Sequence, residues 1–198
     1  MKKTLFTSFL ILFTVVSISQ NKIGVLAGAN SSTISDGFFK KVYESGFSYH
    51  LGLVYDLELS NKISFRPKMI FSQQGDRIKT DKNYYNGNLT NLSIKVIDYK
   101  LTYLNIPLNF KFFNKTYLLA GPQIGFLLST KKMDLDFGDI NKKIDFGLNI
   151  GVGRKINDFF VEFNLYQGMS KILKYEVGSI NFDATNSVAQ LSIGYYIK

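Results

Sequence analysis

The sequence predicts an all-β protein: an eight-stranded antiparallel up-and-down transmembrane β-barrel, preceded by a cleavable signal peptide. Three observations carry that expectation. Apolar and polar residues alternate with period two through about eight stretches, as in strands with one oily face and one wet face. No amphipathic helical pattern separates those stretches. The connections alternate between tight turns and long polar segments, the arrangement of barrels in outer membranes.

The N-terminus reads as an export signal. Lys2 and Lys3 form a basic start, Leu5–Val16 an apolar run, and Ser17-Ile18-Ser19 the small residues a signal peptidase requires. The apolar run is well short of the ~20 residues of a transmembrane helix. Residues 1–19 are therefore expected to be a signal peptide cleaved after Ser19, and residues 20–198 an outer-membrane barrel domain. Loss of Lys2 and Lys3 lowers the net charge from +9 to +7. The chain has no Cys, which excludes disulfides, thiolate chemistry and a lipoprotein anchor. The remaining basic residues are scattered among turns and polar strand faces. They suit solubility, charge pairing and anionic headgroups rather than nucleic acid.

A weak strand, Lys22–Asn30, opens the series. In "GFSYHLGLVYDLELS", Gly46–Ser60, the apolar set is Phe47, Tyr49, Leu51, Leu53, Tyr55, Leu57 and Leu59. The other face is small or polar except Val54. Ile63, Phe65, Met69 and Phe71 then alternate with Ser64, Arg66, Lys68 and Ser72. The same pattern returns in Leu104–Phe112, Leu118–Leu128, Ile144–Val152, Phe159–Leu165 and Ala189–Ile197. Ser60-Asn61-Lys62, Phe113-Asn114-Lys115 and Ile156-Asn157-Asp158 read as tight turns. Between them lie the long segments Ser31–Ser45, Gly75–Ile97, Ser129–Lys142 and Met169–Asn186.

Inward-pointing oily faces would make a soluble lipocalin-like cup. Its outer face would then carry Gly147, Gly151 and Gly153 with no packing task. Outward-pointing oily faces put those glycines inside a narrow barrel, where they leave room for Arg66, Lys68, Lys111, Tyr117 and Tyr166. An eight-stranded barrel is just wide enough for side chains to fill. Spanning lipid takes about nine to eleven tilted residues per strand, and the runs are that long. The glycines, loop asymmetry and strand length together favour outward-pointing oily faces. One stretch resists the pattern: Ile97, Tyr99, Leu101 and Tyr103 carry apolar side chains in the phase opposite to Leu104–Phe112. Either a bulge near Thr102 flips the faces, or the strand's outer end stands above the membrane.

The polar faces supply the candidate chemistry. The Ser60–Lys62 turn is expected to bring Asp56 and Glu58 opposite Arg66 and Lys68, with Glu162 in the same lumenal cluster, in a structural role. His50, the sole His, shares its face with Ser48, Asp56 and Glu58. Ser48 and His50 stand about 7 Å apart along a strand, poor for proton transfer. No catalytic site, cofactor or metal is expected. Asp134, Asp136 and Asp139 lack the full spacing of a calcium loop. Water-filled pores need many more strands. The longest loop, Gly75–Ile97, holds Lys82, Tyr84, Tyr85 and Asn86 as candidate recognition residues, since Tyr and Asn give contact area and adaptable hydrogen bonds. The expected partners are outer-membrane lipid and lipopolysaccharide, with an envelope protein as a further partner, around a monomeric barrel.

Five stretches carry a family resemblance: "KIGVLAGAN" (22–30), "FRPKMIFSQQG" (65–75), "YLNIPLNFKF" (103–112), "AGPQIGFLL" (120–128) and "DFGLNIGVG" (145–153). With them the chain resembles the PorT-like outer-membrane β-barrel family of Bacteroidota over essentially its whole mature length. The resemblance implies an eight-stranded barrel in the outer membrane of a Gram-negative bacterium. The founding member is linked to the type IX secretion machinery, which makes an accessory subunit of that machinery the second functional reading. A lipid-modifying enzyme is the third. The ending "LSIGYYIK" departs from the aromatic last residue of many barrels.

Overall fold

The computed structural model describes residues 21–35, 47–76, 98–133, 142–177 and 180–197. The expected signal peptide, the loop residues Lys82, Tyr84, Tyr85 and Asn86, and Asp134, Asp136 and Asp139 lie outside these residues. Nine strands follow in order: β1 Lys22–Ser35, β2 Phe47–Ser60, β3 Ile63–Asp76, β4 Asp98–Phe112, β5 Thr116–Met133, β6 Ile144–Ile156, β7 Phe159–Gly168, β8 Leu173–Val177 and β9 Ile180–Ile197. From β1 to β7 each pairs antiparallel with the next, and β7 pairs with β9. β1 and β9 then pair from Ile23↔Ile197 to Ser35↔Thr185, which closes the sheet. The short β8 pairs only with the outer part of β9, from Leu173↔Ala184 to Val177↔Ile180. The closed wall therefore has eight strands, and closure gives every one of them two neighbours, as a bilayer requires.

Polarity is inverted relative to a water-soluble protein. The outer wall carries Leu51, Leu53, Leu118, Leu148, Ile150, Phe163, Leu191 and Ile193, all exposed. The interior holds Asn30, His50, Arg66, Asn109, Gln123 and Glu162, all buried. Only lipid makes an exposed apolar belt around a polar core favourable, since it takes the apolar wall out of water while the polar side chains pair inside.

Two of the strands run past that belt. β5 and β9 are 18 residues each. At ~3.3 Å per residue this is about 60 Å of chain, or about 45 Å of height at the usual tilt, against an apolar band of about 25 Å. Parts of the segments read as loops are therefore strand: Ser31–Ser35, Ser129–Met133, Leu173–Val177 and Ile180–Asn186. Beyond the bilayer neither face meets lipid, so the period-two signal fades while the hydrogen-bond ladder continues.

The out-of-phase stretch does not come from a slip of β4 itself. β4 alternates without a slip: Leu101, Tyr103 and Asn105 all point inward and are buried. The β4–β5 ladder does shift at this level, with Thr102↔Ser129 followed by Tyr103↔Leu127, so the extra residue is Leu128 on β5. Leu101 and Tyr103 join Ile34, Ile172 and Ala184 in an apolar cluster inside the barrel, with Leu127 packed against it. The tight turns gather at the other end, where Phe113 and Asn157 take left-handed backbone at φ 72° and 56°. These two ends are called the loop end and the turn end.

Candidate functional site

Near the turn end the lumen is crossed by a layer of charge. Asp56 on β2 accepts a hydrogen bond from Arg66 Nη1 on β3 through Oδ1. Its Oδ2 accepts from Lys111 Nζ of β4 at 2.8 Å and from the Tyr196 hydroxyl of β9 at 2.7 Å. Glu162 reaches in from β7. Its Oε2 accepts from Lys68 Nζ, and its Oε1 accepts from the Tyr117 hydroxyl at 2.8 Å. Arg66 Nη2 lies 2.8 Å from the same Oε1, an ion pair by distance without hydrogen-bond alignment. The guanidinium sits 4.6 Å from the Phe160 ring centre and 5.6 Å from those of Tyr117 and Tyr196. Such flanking by π faces adds attraction to a desolvated cation.

Two glycines admit those rings. A Cβ on Gly153 would lie 2.4 Å from Tyr117 Cε2, and one on Gly194 would lie 2.0 Å from Phe160 Cζ.

The sequence-level pairing of Asp56 and Glu58 with Arg66 and Lys68 is corrected in part. Glu58 sits at the turn-end rim, 38% exposed, and pairs with Lys22 at 2.9 Å. Lys68 spans the lumen to Glu162 instead. In so narrow a barrel, long side chains converge on the axis and meet the opposite wall as readily as the neighbouring strand. Lys111 and Tyr117, expected inside the barrel but not in the charged cluster, join the layer, and Tyr196 joins it unexpectedly. Their signal was a cation and two aromatics on polar strand faces, all close to the turn end.

Above this layer, His50 of β2 reaches across β1 at Gly28 toward β9. Its Nδ1 is 2.6 Å from Asn30 Oδ1 and its Nε2 is 2.8 Å from Ser192 Oγ. Asn30 Nδ2 donates to Ser72 Oγ at 3.0 Å and to the Gln73 carbonyl at 2.8 Å, which turns Oδ1 toward the imidazole. That orientation places the proton on Nδ1 and leaves Nε2 to accept from Ser192. Ser48 instead donates to the Gln73 carbonyl. Ser192, His50 and Asn30 have the connectivity of nucleophile, base and orienter. All three are buried, and a Cβ on Gly28 would already lie 2.7 Å from His50 Cε1. Packed in this way, the trio ties β1, β2 and β9 together.

Toward the loop end lies a third layer around Asp145, which is 1% exposed. A Cβ on Gly168 would stand 2.8 Å from its Oδ2. Both carboxylate oxygens lack an aligned hydrogen-bond partner among the described residues, as do the Tyr103 and Tyr166 hydroxyls. None of the ion pairs of the described residues includes Asp145. The apolar cluster of Ile34, Leu101, Tyr103, Ile172 and Ala184 covers this level. Ile172 is held there by its N–H, which donates to the Ala184 carbonyl at 3.0 Å, while Phe146 N donates to Ser170 Oγ at 3.0 Å. The described interior is thus stoppered by charge at one end and by apolar side chains at the other.

Three solved barrels are similar to this chain, and the first of them shares its fold. Neisserial surface protein A is 11% identical, with 88% of this chain and 96% of that chain covered and a TM-score of 0.50. AlkL, solved in lipid bilayers, is 11% identical over 91% and 92% of the two chains, with a TM-score of 0.49. Ail of Yersinia pestis, solved with the heparin analogue sucrose octasulfate, is 17% identical over 89% and 99%, with a TM-score of 0.46. No curated protein sequence matches the chain. The profile of the family described as outer membrane protein beta-barrel domain matches residues 18–174, which span β1 to β7 and the start of β8. An inside-out closed sheet and a family match over most of the chain converge: this protein belongs to the outer membrane protein beta-barrel domain family and resides in the outer membrane.

Proposed function

We propose that the barrel is a non-enzymatic, monomeric scaffold that holds its long loops outside the cell as a binding surface. The observation that carries this reading is the filled interior. Asp56, Arg66, Lys68, Lys111 and Glu162 form ion pairs with one another across the lumen, and the Ile172 cluster closes the loop end. A barrel so filled offers no pore, and its recognition chemistry falls to the loops. Residues 1–19 act as the export signal in this reading, and residues 20–198 form the barrel. The exported chain starts in the periplasm, so Lys22 at the turn end sets that end inward and the loop end outward. Lys82, Tyr84, Tyr85 and Asn86 are the proposed recognition residues of the longest loop. The PorT-like resemblance favours one further reading, an accessory subunit of type IX secretion machinery.

Cysteine labelling on intact cells tests the orientation. Gly87→Cys should react with an impermeant thiol reagent, and Asn61→Cys should not. The opposite result inverts the barrel and removes the loop assignment. Replacing Asp81–Asn91 by a short Gly/Ser turn should leave the heat-dependent gel shift of the folded barrel intact and abolish co-purification of its partner from native membranes. Retention of a partner by that variant would move recognition elsewhere, and a secretion-machinery subunit among the retained proteins would favour the second reading.

A further inference from the structure

We infer that the outer wall at the loop end carries a docking site for a phosphorylated lipid of the outer leaflet, built on Lys100, Lys131 and Lys142. The inference rests on the loop-end-outward orientation proposed above.

The starting point is a register oddity. Lys100 on β4 and Lys131 on β5 are directly opposed in the ladder. Both are exposed. They lie beside the outward pair Thr102↔Ser129, so both ammonium groups leave the wall on its outer side. Directly opposed side chains have Cβ atoms about 5 Å apart, and like charges in that position repel. Lys142, also exposed, precedes β6 two residues before the outward Ile144, and the backbone bond from Leu127 N to the Lys143 carbonyl, 2.7 Å, ties this stretch to β5. None of the ion pairs among the described residues includes these three lysines.

What lies below them identifies the occupant. Phe126 and Leu128 on β5 with Ile144 and Phe146 on β6 form an exposed apolar surface that begins within a few residues of Lys131 and Lys142. A ligand that meets both surfaces has anionic groups at its head and acyl chains beneath. A soluble anion uses only the lysines, and an uncharged lipid uses only the apolar wall. A lipid bearing phosphates on its headgroup uses both. Its phosphates relieve the repulsion between Lys100 and Lys131, and its chains cover the wall where a bilayer would in any case place them. At the turn end, by contrast, exposed Arg154 faces Thr116 and Val161 in the ladder rather than another cation.

The test uses the purified full-length barrel in phosphatidylcholine nanodiscs. The probe is bisphosphorylated lipid A, compared with dephosphorylated lipid A of the same acyl composition. The readout is the lipid retained, by native mass spectrometry. Bisphosphorylated lipid A should be retained in preference to the dephosphorylated form, and rising NaCl should weaken that preference. The Lys100→Gln/Lys131→Gln variant should lose roughly fivefold or more of the retention, the scale of a basic side chain's contribution near an anionic surface. Lys62→Gln/Lys115→Gln, at the turn end, should retain as much as the parent. All variants are first checked for the heat-dependent gel shift. Equal retention of the two lipids, no loss in the first variant, or equal loss in both variants would overturn the inference. Orientation plays no part in this measurement, so an inverted cysteine-labelling result sinks the topology while a lipid failure sinks only the docking site.

Discussion

The turn-end charged layer and the loop-end Asp145 layer both bury carboxylates inside the same barrel, yet they treat them oppositely. Asp56 receives Arg66, Lys111 and Tyr196, and Glu162 receives Arg66, Lys68 and Tyr117. Asp145 has neither a cation nor an aligned donor among the described residues, and faces tyrosine hydroxyls and a glycine under an apolar cover. The difference teaches where the wall draws its cross-bracing. A buried ion pair spanning the lumen joins strands far apart in the ladder, and its loss strands a charge. Asp145 meets only neutral donors, the Tyr166 hydroxyl, Asn186 and Ser170, so its loss strands no charge.

Three substitutions probe that contrast, and the largest effect comes first. Glu162→Ala leaves Arg66 and Lys68 without their cross-lumen partner. It should cost on the order of 3–5 kcal/mol, read from the urea midpoint of the barrel refolded in lipid. Gly194→Val comes next. It drives a side chain into Phe160, which flanks Arg66, and should cost about 1–3 kcal/mol by overpacking, with a lower temperature for the gel shift. Asp145→Asn is the smallest. It removes no ion pair, and its midpoint should move by no more than about 1 kcal/mol. If Asp145→Asn costs as much as Glu162→Ala, the contrast between the layers fails and the loop end holds bracing of its own.

The wall was legible in the sequence because lipid imposes a one-sided rule on every residue it touches. Leu51, Leu148 and Leu191 could face nothing else, and Asp56, Arg66 and Glu162 could face only inward. The pairings inside were not legible. Lys68 and Glu162 are 94 positions apart, and His50 and Ser192 are 142 apart. Their meeting depends on how the sheet closes and how its strands stagger, which no local pattern states. Leu101 and Tyr103 misled for a related reason. Above the bilayer an inward apolar residue fills a small core of ordinary kind, and period two no longer tells oil from water.

The seam between β1 and β9 makes the wall a ring in which no strand is first. Each strand from β1 to β6 neighbours the next one in the chain, so local hairpins can form in any order, but the ring shuts only when its two most distant strands meet. Until then two open edges face the membrane, each a row of unpaired backbone groups that lipid cannot satisfy. Assembly is therefore all or nothing, and a chain truncated within β9 is left as an open sheet. The same geometry makes the point of opening arbitrary. A chain with residues 22 and 197 linked through a short spacer, and cut instead in the turn at Asn114, would retain every ladder pair of the wall while its breathing edge moved to β4 and β5.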